Sequence, residues 1–134
     1  MVKQLSVDTR GQGLYEVARE VSSLVRNCGI TEGLCTIFVR HTSASLIIQE
    51  NADPSAKRDL EARLSRLVAE NDPIFTHDAE GPDDMPAHIK AALTATSIGI
   101  PIMDGKLALG RWQGIYLWEH RRARHERSVV VHIG

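Results

Sequence analysis

A histidine followed by four small residues, three of them hydroxylic, opens the most chemically informative stretch of this chain. The segment His41-Thr42-Ser43-Ala44-Ser45 leads into an apolar run, and Glu50 follows within ten residues of His41. An imidazole can bind a metal or move a proton, and hydroxyls can orient phosphate oxygens. The alternative is a strand end whose Thr and Ser side chains bond to nearby backbone groups. The motif alone leaves both interpretations open.

Two further histidines flank a loop rich in acids, Gly and Pro. The loop contains three carboxylates between these histidines: Glu80, Asp83 and Asp84. Asp84 and His88 are four residues apart, so they share a helix face if the next helix extends back to Asp84. Three imidazoles with an open position describe a catalytic zinc-type site, but the spacing of His41, His77 and His88 matches no compact metal motif. Spacing alone therefore favours the alternative, in which Asp83 or Asp84 caps the helix and each histidine makes an unrelated surface contact.

The last third of the chain adds more polar candidates. Gly110 and Gly114 interrupt a β pattern, and Gln113 between them would point its amide into a cleft or lie at a plain hairpin corner. Glu119 ends an apolar run and is a candidate base, metal ligand or first solvated residue. Four arginines that match phosphate geometry follow: Arg121, Arg122, Arg124 and Arg127. We expect the middle two to be solvated. The remaining histidines have no supporting context: His120, His125 and His132.

Composition narrows the class of protein. The 134 residues predict a single domain, 1–134, that can close a hydrophobic core. A net charge of -1 and an aromatic content of 4% argue against a nucleic-acid partner. No apolar run is long enough to cross a bilayer, and the first ten residues lack the apolar region of a signal peptide. Cys28 and Cys35 fit no zinc or redox spacing, so we expect reduced cysteines in a cytoplasmic protein.

Hydrophobic periodicity predicts an α+β fold, with an antiparallel β-sandwich and two or three flanking helices. The predicted helices are Tyr15–Asn27, a helix that starts at Asp53-Pro54 and ends at Asp72-Pro73, and Pro86–Ala95. The predicted strands are Val2–Asp8, Leu34–Val39, Ser45–Ile48, Ser97–Met103, Lys106–Leu109, Gln113–Glu119 and Arg127–Ile133. Asp104-Gly105 is a strong hairpin turn signal, and Arg121–Glu126 is predicted to be a charged hairpin loop.

Taken together, these segments resemble the YjbQ family, described as secondary thiamine-phosphate synthases. The resemblance runs in order over most of the chain, through His41–Ser45, Gln49–Asp53, Asp59-Leu60, His77, Glu80-Gly81, Asp83–Lys90, Gly110, Trp112–Gly114, Glu119 and Arg127. It implies a compact, jelly-roll-like β-sandwich with helices, assembled as a homotrimer. It also implies that His41, His77 and His88 converge near a subunit interface around a divalent metal, zinc or magnesium. Thr76 departs from the family, where an aromatic residue often precedes the loop histidine.

The activity that this resemblance implies is the joining of a pyrimidine pyrophosphate to a thiazole phosphate with departure of the pyrophosphate, as a main or a secondary activity. Catalysis would largely be stabilisation of the departing pyrophosphate charge. The residues expected to bind the phosphorylated substrate are Thr42, Ser43, Ser45, Lys90, Gln113 and Arg127. The carboxylates expected to orient a histidine or move a proton are Glu50, Asp84 and Glu119. Two alternatives stay open: a metal-dependent hydrolase of a small phosphorylated metabolite, and a noncatalytic protein that binds one.

Overall fold

Two antiparallel sheets and three helices make up the fold in a computed structural model that describes all 134 residues. The elements in chain order are β1 (Val2–Thr9), β2 (Gly13–Glu16), α1 (Ala18–Cys28), β3 (Gly33–Val39), β4 (Ala44–Glu50), α2 (Pro54–Leu67), α3 (Asp84–Leu93), β5 (Ser97–Met103), β6 (Lys106–Leu107), β7 (Gln113–Glu119) and β8 (His125–Ile133). The predicted α+β class with antiparallel sheets is confirmed, and the number of helices is three.

The larger sheet has five strands in the order β1-β8-β3-β5-β6, and the smaller has three in the order β2-β7-β4. Every strand pair is antiparallel. Alternate residues of β3 and β8 face the core, as do alternate residues of β7, which is the period-2 pattern of a strand with one face inward. The two inner faces and helix α1 enclose a single cluster of 15 buried apolar residues. This cluster is the core of the fold, in which the two sheets form a half-barrel.

Helix α1 closes this core with Val21 and Val25, both fully buried. Gly29 ends the helix in the left-handed conformation, with φ of 74°, as the sequence indicates. The predicted start of this helix at Tyr15 is wrong. Residues Gly13–Glu16 instead form β2, which pairs with β7 from Gly13 opposite Glu119 to Glu16 opposite Tyr116. Cross-strand pairing therefore overrides the local helical pattern in this segment.

Helix α2 covers the outer face of the small sheet. Asp53 caps its N-terminus by accepting the N–H of Ser55 at 2.9 Å, which agrees with the predicted start. Trp118 donates from Nε1 to Glu61 of the helix at 2.6 Å, so the buried aromatic has a polar partner. The helix ends at Leu67, five residues before the predicted end at Asp72.

Of the two hairpins that the sequence predicts, only the one between β5 and β6 is present. Asp104 and Gly105, with φ of 51° and 75°, form the tight turn between β5 and β6, so the predicted hairpin is confirmed. The prediction of a hairpin at Arg121–Glu126 is wrong, because β7 and β8 belong to different sheets. This segment instead crosses from the small sheet to the large one, beside the start of α3. No helix is long and apolar enough to span a membrane.

Candidate functional site

The carboxylate of Asp84, at the first turn of α3, is the centre of a cluster of polar side chains. Its Oδ1 accepts a hydrogen bond from Arg121 Nη1 at 2.7 Å. Its Oδ2 lies 2.8 Å from His77 Nε2 and 3.3 Å from His88 Nε2. One oxygen is therefore held by a permanent cation, and the other faces two imidazoles.

The start of α3 brings these groups together. Asp84 opens the helix, so its spacing of four residues puts its side chain beside His88, as the sequence predicts. Asp83 makes no side-chain cap to the helix. Its Oδ2 instead accepts from Arg121 Nε at 3.0 Å and from the backbone N–H of Arg122 at 2.9 Å. Burial alone would raise the pKa of Asp83, but these hydrogen bonds outweigh burial and lower the pKa below its usual value.

The orientation of the His88 ring places its Nε2 atom opposite the carboxylate of Asp84. His88 Nδ1 lies 3.0 Å from the carbonyl oxygen of Thr42, and a carbonyl only accepts, so Nδ1 carries the hydrogen. In a neutral ring the lone pair of Nε2 then points at the Asp84 carboxylate, which is a repulsive contact. A proton on Nε2 or a cation between the two groups removes this repulsion.

A divalent metal fits this set of donors. The ligand atoms of His77, Asp84 and His88 all lie within 4.8 Å of one another. Two imidazoles and one carboxylate are the ligand set of some catalytic zinc sites and leave a position open. Magnesium prefers oxygen ligands, so the donor chemistry favours zinc over magnesium.

His41 does not belong to this group of three donors. Its Nε2 accepts the backbone N–H of Ser128 at 2.8 Å, so this nitrogen already has a partner within the chain. Burial, followed by the nearby Arg127 charge, lowers the pKa of His41 below its usual value. His41 and His88 nevertheless line one cavity. The structure thus places His41 beside the cluster and not in it. The third donor, together with His77 and His88, is Asp84.

A second polar cluster lies between the two sheets. Glu119 accepts hydrogen bonds from Thr9 Oγ1 at 2.6 Å and from Arg127 Nε at 2.8 Å, and Arg127 Nη2 forms a further ion pair with it. Arg127 Nη2 also bonds to Ser43 Oγ at 3.0 Å. Burial alone would raise the pKa of Glu119, but the bonds from Arg127 and Thr9 outweigh burial and lower the pKa. Glu119 and Arg127 therefore form a buried ion pair whose polar atoms have hydrogen-bond partners within the chain.

A third polar group lies on the other face of β7. His120 Nε2 lies 2.8 Å from Ser45 Oγ, while His120 Nδ1 is buried without a hydrogen-bond partner. Burial, followed by the Lys90 charge, lowers the pKa of His120 to about 3. Lys90 is itself only 3% exposed, so it belongs to this buried group and not to the surface around His88.

The buried imidazole of His120 predicts a specific acid sensitivity. Because its pKa falls from 6.5 to about 3 on folding, the unfolded chain binds more protons between these values. Stability from this group is fully present above pH 6.5 and falls by about 1.4 kcal/mol per pH unit below that. We expect His120→Gln, which keeps a group near Ser45, to flatten this slope in urea unfolding between pH 7 and 5. The exposed His132→Gln is the control. An unchanged slope in His120→Gln would contradict the prediction.

Glu50 and Gln113 lie away from these clusters. They pair with each other at one end of β4 and β7, whereas Ala44 and Glu119 pair at the other end. Six residues of strand separate the two ends by about 20 Å. Gln113 Oε1 accepts the N–H of Gly110 at 2.7 Å, so the side chain closes a local turn. Within one chain, neither side chain joins the group around Asp84.

Two side chains that sequence spacing does not assign to a site take part in these clusters, Arg121 in the one around Asp84 and His120 in the third polar group. Arg121 contacts Asp83, Asp84 and the carbonyl oxygen of Glu80. The complementary charges of the acidic loop and the arginine-rich segment are a signal that could have paired them. No sequence spacing connects His120 to Ser45, which lies 75 residues away along the chain.

Comparisons with known proteins agree with this fold. The family model described as UPF0047 protein YjbQ-like matches residues 3–134. A UPF0047 protein of Synechocystis sp. is 52% identical over 129 residues, covering 96% of this chain and 88% of the relative. The UPF0047 protein YjbQ of Escherichia coli O157:H7 is 37% identical over 130 residues, covering 96% of this chain and 94% of the relative.

Solved structures extend the likeness to three dimensions. An uncharacterized conserved protein of the YjbQ/UPF0047 family from Clostridium acetobutylicum has a TM-score of 0.86 at 34% identity, covering 100% of this chain and 99% of that one. A hypothetical protein from Aeropyrum pernix K1 has a TM-score of 0.90 at 26% identity, covering 100% and 98%. The sequence and the fold lead to one conclusion: this chain belongs to the YjbQ family of UPF0047 proteins.

Proposed function

We propose that this protein is a metal-dependent transferase of the thiamine-phosphate synthase type, which joins a pyrimidine pyrophosphate to a thiazole phosphate. The observation that carries the metal requirement is the His77, Asp84 and His88 cluster, in which the His88 lone pair faces a carboxylate. The resemblance of the sequence to the family supports the choice of substrates. When bound, zinc supplies positive charge where the leaving pyrophosphate develops negative charge.

In this reaction the thiazole nitrogen forms a bond to the pyrimidine methylene carbon, and the bond from that carbon to the pyrophosphate oxygen breaks. The pyrophosphate leaves with the bonding electron pair. Arg121 holds Asp84 Oδ1, so Oδ2 stays directed at the two histidines. The Thr42 carbonyl fixes the His88 ring in the same way. These contacts preorganise the donors and avoid reorganisation during the reaction.

Of the hydroxyl side chains expected to bind phosphate, only one has no hydrogen-bond partner within the chain. Thr42 is exposed beside His41, and its hydroxyl makes no hydrogen bond within the chain. The hydroxyls of Ser43 and Ser45 already bond to Arg127 and His120. The Thr42 hydroxyl is therefore the expected hydrogen-bond contact of the leaving group, and the His77, Asp84 and His88 cluster would hold the metal that supplies positive charge.

The test is turnover by protein loaded with a defined metal. Protein stripped with a chelator and reloaded with zinc should convert the pyrimidine pyrophosphate and thiazole phosphate to thiamine phosphate, with one pyrophosphate released per product. Stripped protein should lose this activity. Release of pyrophosphate that requires no thiazole phosphate would exclude a transferase.

A hydrolase is the second candidate, because two histidines and one carboxylate also form the zinc ligand set of hydrolytic sites. It predicts zinc-dependent cleavage of a single phosphate ester with water as the second reactant. A third outcome, tight binding of a phosphorylated metabolite without turnover of any substrate, would identify a binding protein.

We also propose that the protein assembles as a homotrimer. The outer face of the five-stranded sheet carries no helix, and four large apolar side chains are exposed on it: Val2, Leu34, Phe38 and Met103. An exposed apolar face of this kind is typical of a subunit contact. Light scattering should return three times the mass of the 14.8 kDa chain. A stable monomer at working concentration would contradict the trimer, and Phe38→Asp should shift the mass towards that of the monomer.

A further inference from the structure

We propose that the buried Glu119–Arg127 ion pair positions the metal donors around Asp84, which it holds from two sides. We name these two residues the positioning pair. On one side the pair acts through Arg121, which bonds to the carboxylate donor. On the other side it acts through the backbone that bonds to the imidazole of His88. The inference rests on the metal site of the proposed function, and it adds the groups that fix the donors of that site in place.

The first connection runs through Arg121, which is held at both of its ends. Its backbone N–H donates to Glu119 Oε2 at 3.1 Å. Its guanidinium donates to Asp84 Oδ1 at 2.7 Å and to Asp83 Oδ2 at 3.0 Å. Arg121 therefore links the buried carboxylate of Glu119 to the carboxylate that faces the two histidines. Loss of the first bond would release the backbone from which the guanidinium reaches Asp84.

The second connection runs through Ser43, which follows the carbonyl group that holds His88. Arg127 Nη2 donates to Ser43 Oγ at 3.0 Å and to the Ser43 carbonyl oxygen at 3.3 Å. The carbonyl oxygen of Thr42, in the preceding peptide group, lies 3.0 Å from His88 Nδ1 and accepts its hydrogen. The same ion pair thus fixes the backbone beside the second kind of metal donor.

Burial makes the positioning pair suited to this role. The Glu119 side chain is 0% exposed and that of Arg127 is 4% exposed, so their hydrogen bonds form where the dielectric is low and are stronger than in water. A buried ion pair adds little net stability, because hydrophobic residues of similar volume often serve the fold equally well. Hydrophobic residues cannot, however, accept the Arg121 N–H or donate to the Ser43 carbonyl. The charges therefore contribute geometry that a hydrophobic pair would not.

The test uses the double substitution Glu119→Leu with Arg127→Met, which removes the pair without leaving an unpaired buried charge. Urea unfolding should show that this variant recovers part of the stability that Arg127→Met loses. Its zinc affinity should nevertheless stay about 10- to 100-fold below that of the wild type, the usual effect of losing a group that orients a metal ligand. Competition with a zinc-binding dye measures the affinity under conditions in which each variant is folded.

Glu119→Gln with Arg127→Met is the conservative variant. The glutamine oxygen can accept from the Arg121 N–H, and the glutamine amide can donate to Thr9 Oγ1, so both polar atoms have a partner. This variant should regain part of the zinc affinity, because the connection to Asp84 is restored. Thr9→Val is the control for stability. It removes one buried bond to Glu119 and touches neither connection, so it should bind zinc like the wild type.

A second measurement requires no metal. Hydrogen exchange of Arg121 Nε–H, which donates to Asp83, is followed by nitrogen-15 NMR with a chelator present. In the wild type this hydrogen should exchange as slowly as the buried Arg127 Nε–H, because the two arginines open together. In Glu119→Leu with Arg127→Met it should exchange at least about tenfold faster, which corresponds to the loss of one hydrogen bond to a charged group.

Wild-type zinc affinity in Glu119→Leu with Arg127→Met would overturn the proposal, as would an equal loss of affinity in Thr9→Val. Fast exchange of Arg121 Nε–H beside a protected Arg127 Nε–H would overturn it even if the double variants did not fold. If the wild type binds no zinc, the proposed function fails, and the exchange rates alone decide whether the pair holds the donors. If all variants bind zinc equally well, the metal site stands and the positioning pair does not.

Discussion

Replacing Arg127 by methionine should lower the free energy of unfolding by about 3–5 kcal/mol. The guanidinium is 4% exposed and the Glu119 side chain is 0% exposed, so neither charge is stabilised by solvent. Removing the cation leaves a buried carboxylate whose other partners are the Thr9 hydroxyl and the Arg121 N–H. Urea unfolding at pH 7 measures the loss.

The matched control is Arg122→Met. Arg122 also pairs with a carboxylate, that of Glu70, but its side chain is 61% exposed. Exposed ion pairs contribute about 0–1 kcal/mol, so this variant should be close to the wild type. Replacing both members of the buried pair, in Glu119→Leu with Arg127→Met, should recover part of the loss because no unpaired charge stays buried. An Arg127→Met variant as stable as Arg122→Met would show that the buried pair does not stabilise the fold.

Replacing Asp84 by asparagine should reduce zinc affinity at least 100-fold, about 2.8 kcal/mol at the usual conversion of 1.4 kcal/mol per tenfold. The substitution keeps the size of the side chain but removes the one negative charge among the three donors. It also weakens the hold of Arg121 on the group, because Asp84 Oδ1 accepts from that guanidinium. Competition with a zinc-binding dye measures the affinity directly.

Asp83→Asn is the control for this change. Asp83 pairs with the same arginine but faces the Arg122 N–H and not the histidines, so the variant should bind zinc like the wild type. His77→Ala and His88→Ala should each weaken binding as well. Unchanged zinc affinity in Asp84→Asn would remove the carboxylate from the ligand set. The proposed metal requirement would then have to rest on the three histidines that the family resemblance implies, His41, His77 and His88.

The features that the sequence predicts well are those that depend on neighbours along the chain. The Asp104-Gly105 turn forms because two residues in the left-handed region close a short hairpin. Asp84 and His88 meet because a helix brings residues four apart to one face. The predicted start of α1 is wrong because the structure of that segment depends on a strand that is distant along the chain. Gly13–Glu16 pairs with β7 about 100 residues later, and no local pattern carries that information.

By itself, the sequence determined the family, the antiparallel α+β class and the residue types available for chemistry. Only the tertiary structure decided which of those residues meet. Arg121 joins Asp84 across 37 positions, and Ser128 directs the His41 ring across 87. Strand register carries Glu50 to the opposite end of the small sheet from Glu119. The physical reason is that register and hydrogen-bond direction depend on contacts between distant segments, whereas spacing along the chain specifies only what a single helix, strand or turn brings together.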